Sequence, residues 1–174
     1  MNNISIIEVF MSDRRVGRMA LTPEGLCGFE YDADWIRNGF SISPFYLPLK
    51  PGLVMAKQDP FGGNFGVFDD SLPDGWGNLL LDRYLQEKGI DPYKLNVLER
   101  LSLIGSTGRG ALEYRPDKSV ATDEEFLDFD HLAKEAENIL KSKESTGSVD
   151  LFYKYGGSSG GARPKVFTKI DERE

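Results

Sequence analysis

The sequence predicts an α+β fold, a small antiparallel sheet with packed helices. Three observations point to it. Apolar and polar residues alternate over short runs in the first third of the chain. Tight-turn residues separate those runs. From Pro73 onward apolar residues instead recur at helical spacing, with cap and stop residues at the segment ends.

Each element has its own local reason. Ile4 to Phe10 alternates, with Ile4, Ile6 and Val9 as the expected buried face. Ser12-Asp13-Arg14-Arg15 supplies a turn, and Val16 to Leu21 reads as the returning strand. Thr22-Pro23-Glu24-Gly25 turns the chain again into a third strand, Leu26 to Tyr31. Asp34 to Gly39 has room for one helical turn, and Pro44 and Pro48 keep Phe40 to Leu49 extended. Phe61 to Gly66 is a glycine-rich loop flanked by aromatics. Asp74 is placed to cap a helix running to Lys88, with Gly89 as its stop and Trp76, Leu80, Leu81, Tyr84 and Leu85 as its apolar stripe. Asp91-Pro92 reads as cap and first residue of a second helix, with Leu95, Leu98 and Leu101 on one face and Gly105 as its end. Gly110 to Tyr114 has the look of a short strand. Thr122 and Glu125 form a capping box for a helix to about Lys141, with Phe126, Phe129, Leu132, Ala133, Ala136, Ile139 and Leu140 on one face. Leu151 to Tyr155 and Val166 to Ile170 read as two strands around a glycine loop. A boundary falls between Arg115 and Gly147, placed at 117/118, and the sequence holds no internal repeat.

Composition narrows the function classes. The chain has 174 residues, 40% hydrophobic and 28% charged, as expected of a folded, water-soluble protein. No apolar run approaches the roughly 18 residues of a membrane helix. Met1 to Phe10 carries no basic residue, unlike a secretory leader, and a lone cysteine, Cys27, fits a reducing cytoplasm. The net charge of −7 disfavours direct binding to nucleic acid. The acid-rich stretch Asp117 to Glu137 reads as a solvated helix face. A single histidine, His131, leaves no His-metal cluster and little room for a triad. No metal-binding residue is assigned.

The segment that carries chemistry is Tyr155-Gly156-Gly157-Ser158-Ser159-Gly160-Gly161-Ala162-Arg163-Pro164-Lys165. Glycines let backbone N–H groups converge on a phosphate without side-chain obstruction, and Arg163 and Lys165 add positive charge at the exit. The order matches neither the Walker pattern nor the dinucleotide fingerprint. Such a run also serves as a flexible linker. A hydrolase with Ser158 or Ser159 as nucleophile is a further reading, but its only candidate base is His131 on the acidic helix.

Four stretches, in order, resemble the HipA family of toxin kinases over nearly the whole chain. Phe40-Ser41-Ile42-Ser43 with Leu47-Pro48-Leu49 is similar to the family's S-I-S…L-P-L segment. Phe68 to Trp76 resembles its F-x-x-L-L-P-D/E-G helix start. Ile104 to Leu112 resembles its G-x-D-x-x-G-A-L segment, and Ser158 to Lys165 its phosphate loop S-x-x-G-A/V-Q-P/E-K. Arg163 stands where the family usually has glutamine. The resemblance implies an N-terminal domain over 1–117, then a long helix and the first strands of a HipA-like kinase domain over 118–174. It implies ATP and Mg²⁺ as cofactors of the parent protein, with Gly160, Gly161, Ala162, Arg163, Pro164 and Lys165 at the ATP phosphates. Ser158 is implied as an autophosphorylation site that silences the kinase. Implied partners are a helix-turn-helix antitoxin of the HipB type and a protein substrate in translation, such as an aminoacyl-tRNA synthetase, with DNA met only through the antitoxin. No catalytic aspartate or metal-binding aspartate of a kinase falls within these residues, so the chain is expected to be a truncated, inactive piece. The alternative is a standalone HipA N-terminal-like interaction or antitoxin module.

Overall fold

A computed structural model describes residues 4–119, 129–141, 149, 152–153, 161 and 163–165. The chain divides into two compact units. One comprises Met1–Leu72 with Leu95–Ser119, the other Pro73–Lys94 with Val120–Glu174.

The first unit is built on a five-stranded antiparallel sheet. Its strands are β1 (Ile6–Met11), β2 (Arg14–Leu21), β3 (Cys27–Tyr31), β4 (Leu53–Met55) and β5 (Glu113–Arg115), in the spatial order β4-β3-β2-β1-β5. The β1–β2 turn uses Ser12 and Asp13, both at positive φ (48° and 62°), the conformation that matches a two-residue hairpin to strand twist. Ile7 pairs with Met19, Val9 with Gly17 and with Tyr114, and Met19 with Phe29, so these residues share the core face. Ile4 and Val9 are buried as expected, but Ile6 is not: it points to the opposite face and is 56% exposed, while Ile7 is buried. Strict alternation cannot bury both Ile6 and Ile7, and the larger core closes over Ile7. The register shifts between Val9 and Phe10, where Val16 is the extra residue on β2; the bulge lets Val16 be buried beside Gly17. On the outer face Glu8, Arg18, Glu30 and Arg115 stand in register, alternating in sign, with Arg18 bonded to Glu30 at 2.7 Å.

Helices close the core face. Helix α1 (Ala33–Asn38) is capped by Asp32, whose carboxylate accepts from Asp34 N at 2.8 Å, and it buries Trp35. The Phe40–Leu49 segment is tied down from within: Tyr31 Oη donates to Leu47 O at 2.7 Å and accepts from Ile42 N at 3.0 Å. Helix α2 (Gly66–Asp69) delivers Phe68 against Phe29, ring centroids 5.2 Å apart. Tyr114 Oη donates to Ser71 Oγ at 2.6 Å. Asp91-Pro92 does not start the next helix. Residues Pro92–Lys94 form one 3₁₀ turn, and α4 (Val97–Ile104) begins after Asn96. Asn96 and Glu99 make a capping box, which satisfies two backbone N–H groups at once and outcompetes the earlier start. Leu98 and Leu101 are fully buried in the core.

The second unit contains α3 (Gly75–Glu87) and α5 (Phe129–Lys141). Helix α3, within the 1–117 range that the sequence reading assigned to an N-terminal domain, lies in the second of these compact units. Trp76, Leu80, Leu81 and Leu85 are buried. Trp76 meets Phe152 edge-on at 5.8 Å, and Tyr84 stacks on Tyr153 at 4.7 Å. Val149, Phe152 and Tyr153 are helical; Phe152 and Tyr153 are the described part of the Leu151 to Tyr155 run expected as a strand. A short apolar run carries no period that separates strand from helix, and here stacking on α3 decides. On α5, Ala136 and Ile139 are buried but Leu140 is 52% exposed, one step beyond the apolar stripe. The Thr122–Glu125 capping box and the Val166–Ile170 strand lie outside the described residues. No described helix is long and apolar enough to cross a membrane.

Candidate functional site

Of the segment read as a phosphate loop, Ser158, Ser159, Gly160 and Ala162 lie outside the described residues, whereas Gly161, Arg163, Pro164 and Lys165 are described. Gly161 has φ +90°, a backbone state open to glycine and strained for any L side chain. A Cβ at Gly161 would stand 3.0 Å from Lys165 Nζ. The lysine ammonium is therefore folded over the glycine backbone. Arg163 is exposed and Lys165 half-buried. A glycine at positive φ and a lysine ammonium are thus brought side by side.

Gly161 is held from across the unit. Its N–H donates to Asp74 Oδ1, and its carbonyl accepts from Trp76 N at 2.9 Å. Asp74 is the N-cap of α3 by position, with extended backbone, but its side chain makes no bond to its own helix. Two motifs 87 residues apart, the helix start at Asp74 and the glycine segment, are thus joined. Sequence reasoning identified both but gave Asp74 only a capping role.

The other two motifs serve the first unit. Ser41, Ile42 and Leu47 are hydrogen-bonded around Tyr31. In the Ile104–Leu112 stretch, Gly105 has φ +51° and sits against Asp117, whose carboxylate accepts from Ser106 N at 3.0 Å and Ser119 N at 2.8 Å. Partial burial pushes the Asp117 carboxyl up, but hydrogen bonds from the Ser106 and Ser119 side chains, and then from their backbone N–H groups, outweigh it and hold the group below its ordinary value. Cys27 is fully buried, and burial pushes its thiol up to about 12. A shallow cleft of about 300 Å³ lies beside Arg15, Arg18, Glu30 and Asp32, but these charges pair with one another. The side chain of His131 lies outside the described residues. Among the described residues no cluster of three or more His, Cys, Asp or Glu could hold a metal ion.

Comparison with known proteins bears on the same region. Residues 7–115 match the model of the HipA N-terminal domain. That range starts in β1 and ends in β5, the strand that pairs with it. No curated protein matches the chain. Among solved structures, the chain is similar to one in the complex of HipA, HipB and operator DNA from the Shewanella oneidensis MR-1 toxin–antitoxin system. The two are 20% identical with a TM-score of 0.50, and the match covers 76% of this chain and 29% of that one. The chain therefore spans under a third of the length of that relative, and at this identity the likeness concerns the fold. With a family match that covers more than half of the sequence and reaches all five strands, this chain belongs to the HipA N-terminal domain family.

Proposed function

We propose that the chain is the N-terminal part of a HipA-like serine/threonine kinase, the toxin of a bacterial toxin–antitoxin module. The observation that carries this reading is the family match over residues 7–115. On this reading residues 118–174 open the kinase domain, and ATP with Mg²⁺ is the cofactor. Gly160, Gly161, Ala162, Arg163, Pro164 and Lys165 would hold the ATP phosphates. The positive φ of Gly161 and the Lys165 ammonium beside it support that assignment. ATP supplies the phosphoryl group; the part of these residues is to bind and orient its phosphates. Ser158 is the proposed autophosphorylation site. A phosphate there adds about −1.5 to −2 charge at neutral pH, which repels the nucleotide phosphates. The partner is a helix-turn-helix antitoxin of the HipB type, bringing operator DNA with it, and the substrate a translation component such as an aminoacyl-tRNA synthetase.

The deciding experiment incubates the full-length gene product with ATP and Mg²⁺ and maps phosphate by mass spectrometry. Modification at Ser158, abolished by Ser158→Ala, is expected. Phosphate on Ser159, or nowhere from Gly156 to Lys165, overturns the site. The 174-residue chain alone is expected to transfer no phosphate and to show no micromolar ATP affinity in calorimetry.

A second reading is a standalone interaction or antitoxin module. It is favoured by the confinement of the family match to an N-terminal domain. A reading frame that continues past Glu174 into an Asp-x-x-x-x-Asn segment and a later metal-binding Asp excludes it.

A further inference from the structure

The Asp74–Gly161 contact is unusual in where its atoms are spent. An N-cap aspartate ordinarily turns its carboxylate onto the second or third N–H of its own helix. Asp74 has the extended backbone of a cap (φ −118°, ψ 173°), yet its Oδ1 accepts from Gly161 N instead. Trp76 N, one of the donors that the first turn of α3 leaves unpaired, goes to Gly161 O at 2.9 Å. Both backbone polar groups of one glycine are therefore bound by the first turn of one helix. The dock itself is firm: Trp76 is buried against Phe152, and Gly75, at φ +37°, turns the chain between the carboxylate and the Trp76 amide.

The chemistry of this contact matters because the group on the Gly161 amide is an anion. A carboxylate oxygen accepts from a backbone N–H in the same way as a phosphate oxygen, and both are favoured near a helix N-terminus and a lysine ammonium. We propose that Asp74 is a positioning residue that latches the glycine segment through Gly161, and that its carboxylate occupies the amide a phosphate oxyanion takes when it binds. Phosphate binding then requires the latch to exchange one oxyanion for another, so Asp74 sets how readily the segment accepts a phosphate. This rests on the reading of Ser158 to Lys165 as a phosphate loop, but the latch itself can be measured without it.

The test uses the 174-residue chain and two probes. Amide hydrogen exchange by NMR reads the latch. In Asp74→Ala the Gly161 amide should exchange about tenfold faster or more, the loss expected for one charge-assisted hydrogen bond. The Leu80 and Leu81 amides in the body of α3 should be unmoved. Asp74→Asn, which keeps an acceptor oxygen, should restore most of the protection and serves as the readout if the alanine variant melts early. A Gly161 amide that exchanges at the coil rate in the parent, or unchanged in Asp74→Ala, overturns the latch. Inorganic pyrophosphate is the second probe. The Gly161 and Lys165 resonances should shift at lower pyrophosphate concentration in both variants than in the parent, because the competing charge is gone. If Asp74→Ala frees the latch and pyrophosphate still moves no resonance from 158 to 165, the phosphate-loop reading fails and the competition half of the proposal falls with it.

Discussion

Replacing Gly105 with alanine should be among the most damaging single-methyl changes in the first unit. Gly105 closes α4 at φ +51° and ψ −118°, a region that L side chains enter at a cost of about 1–3 kcal/mol. The new Cβ would also stand inside the Asp117 carboxylate, with Oδ2 at 2.9 Å and the nearer atoms closer still. Asp117 has to move, and its bonds from Ser106 N and Ser119 N are lost. Asp117 is an exposed residue, so those two bonds together contribute about 1–2 kcal/mol, below the buried range. The sum is a loss of about 2–5 kcal/mol, or a fall in Tm of roughly 4–20 °C for a chain of this length. Thermal and urea melts followed by circular dichroism measure it. The double variant G105A/D117A separates strain from clash: with the carboxylate removed there is nothing to displace, so its loss should be smaller than the sum of the single losses. Acid supplies an independent check. Because the folded carboxyl of Asp117 is held below its ordinary value, its contribution is present above the unfolded value near 4 and fades as pH falls through the folded one. G105A should therefore lose less, relative to the parent, in strong acid than at neutral pH. A G105A melt that overlays the parent, or strict additivity in the double variant, refutes the reasoning.

Leu98→Ala, at a fully buried position of α4, should cost about 2–5 kcal/mol in urea unfolding. Asn64 is 6% exposed and neither side-chain polar atom finds a hydrogen-bond partner among the described residues, so Asn64→Leu should leave the midpoint unchanged or raise it. Cys27, with its thiol pushed up to about 12 and no exposure, should stay unreactive towards a thiol reagent in the native state and react at once in urea. Fast native labelling would mean that β3 opens far more readily than a core strand should.

The sequence by itself determined what local chemistry decides. The β1–β2 hairpin, the helical turn over Asp34 to Gly39, the stripe of α3 and the glycine segment with its two cations all follow from period, turn residues and composition. Each depends on neighbours within a few positions, so each was legible. The α+β class followed from the same signals. Tertiary structure decided whatever depends on partners far along the chain. The face of β1 that is buried was settled by its pairing with β2 and β5, the latter about 105 residues away, which sends Ile7 rather than Ile6 inward. The helix start expected at Asp91-Pro92 gave way to a capping box at Asn96, whose side chain also donates to Ile4 O at 3.2 Å, a partner invisible to local reading. Phe152 and Tyr153 became helical because Trp76 and Tyr84 offer them ring faces and edges. The candidate site divides the same way. Its residue types could be read one by one, but the diversion of Asp74 from its own helix to Gly161 could not, because a cap residue and a loop glycine advertise only their own short-range needs. Which of those needs is met by which partner is fixed only when burial of Trp76 against Phe152 brings the helix start and the glycine together.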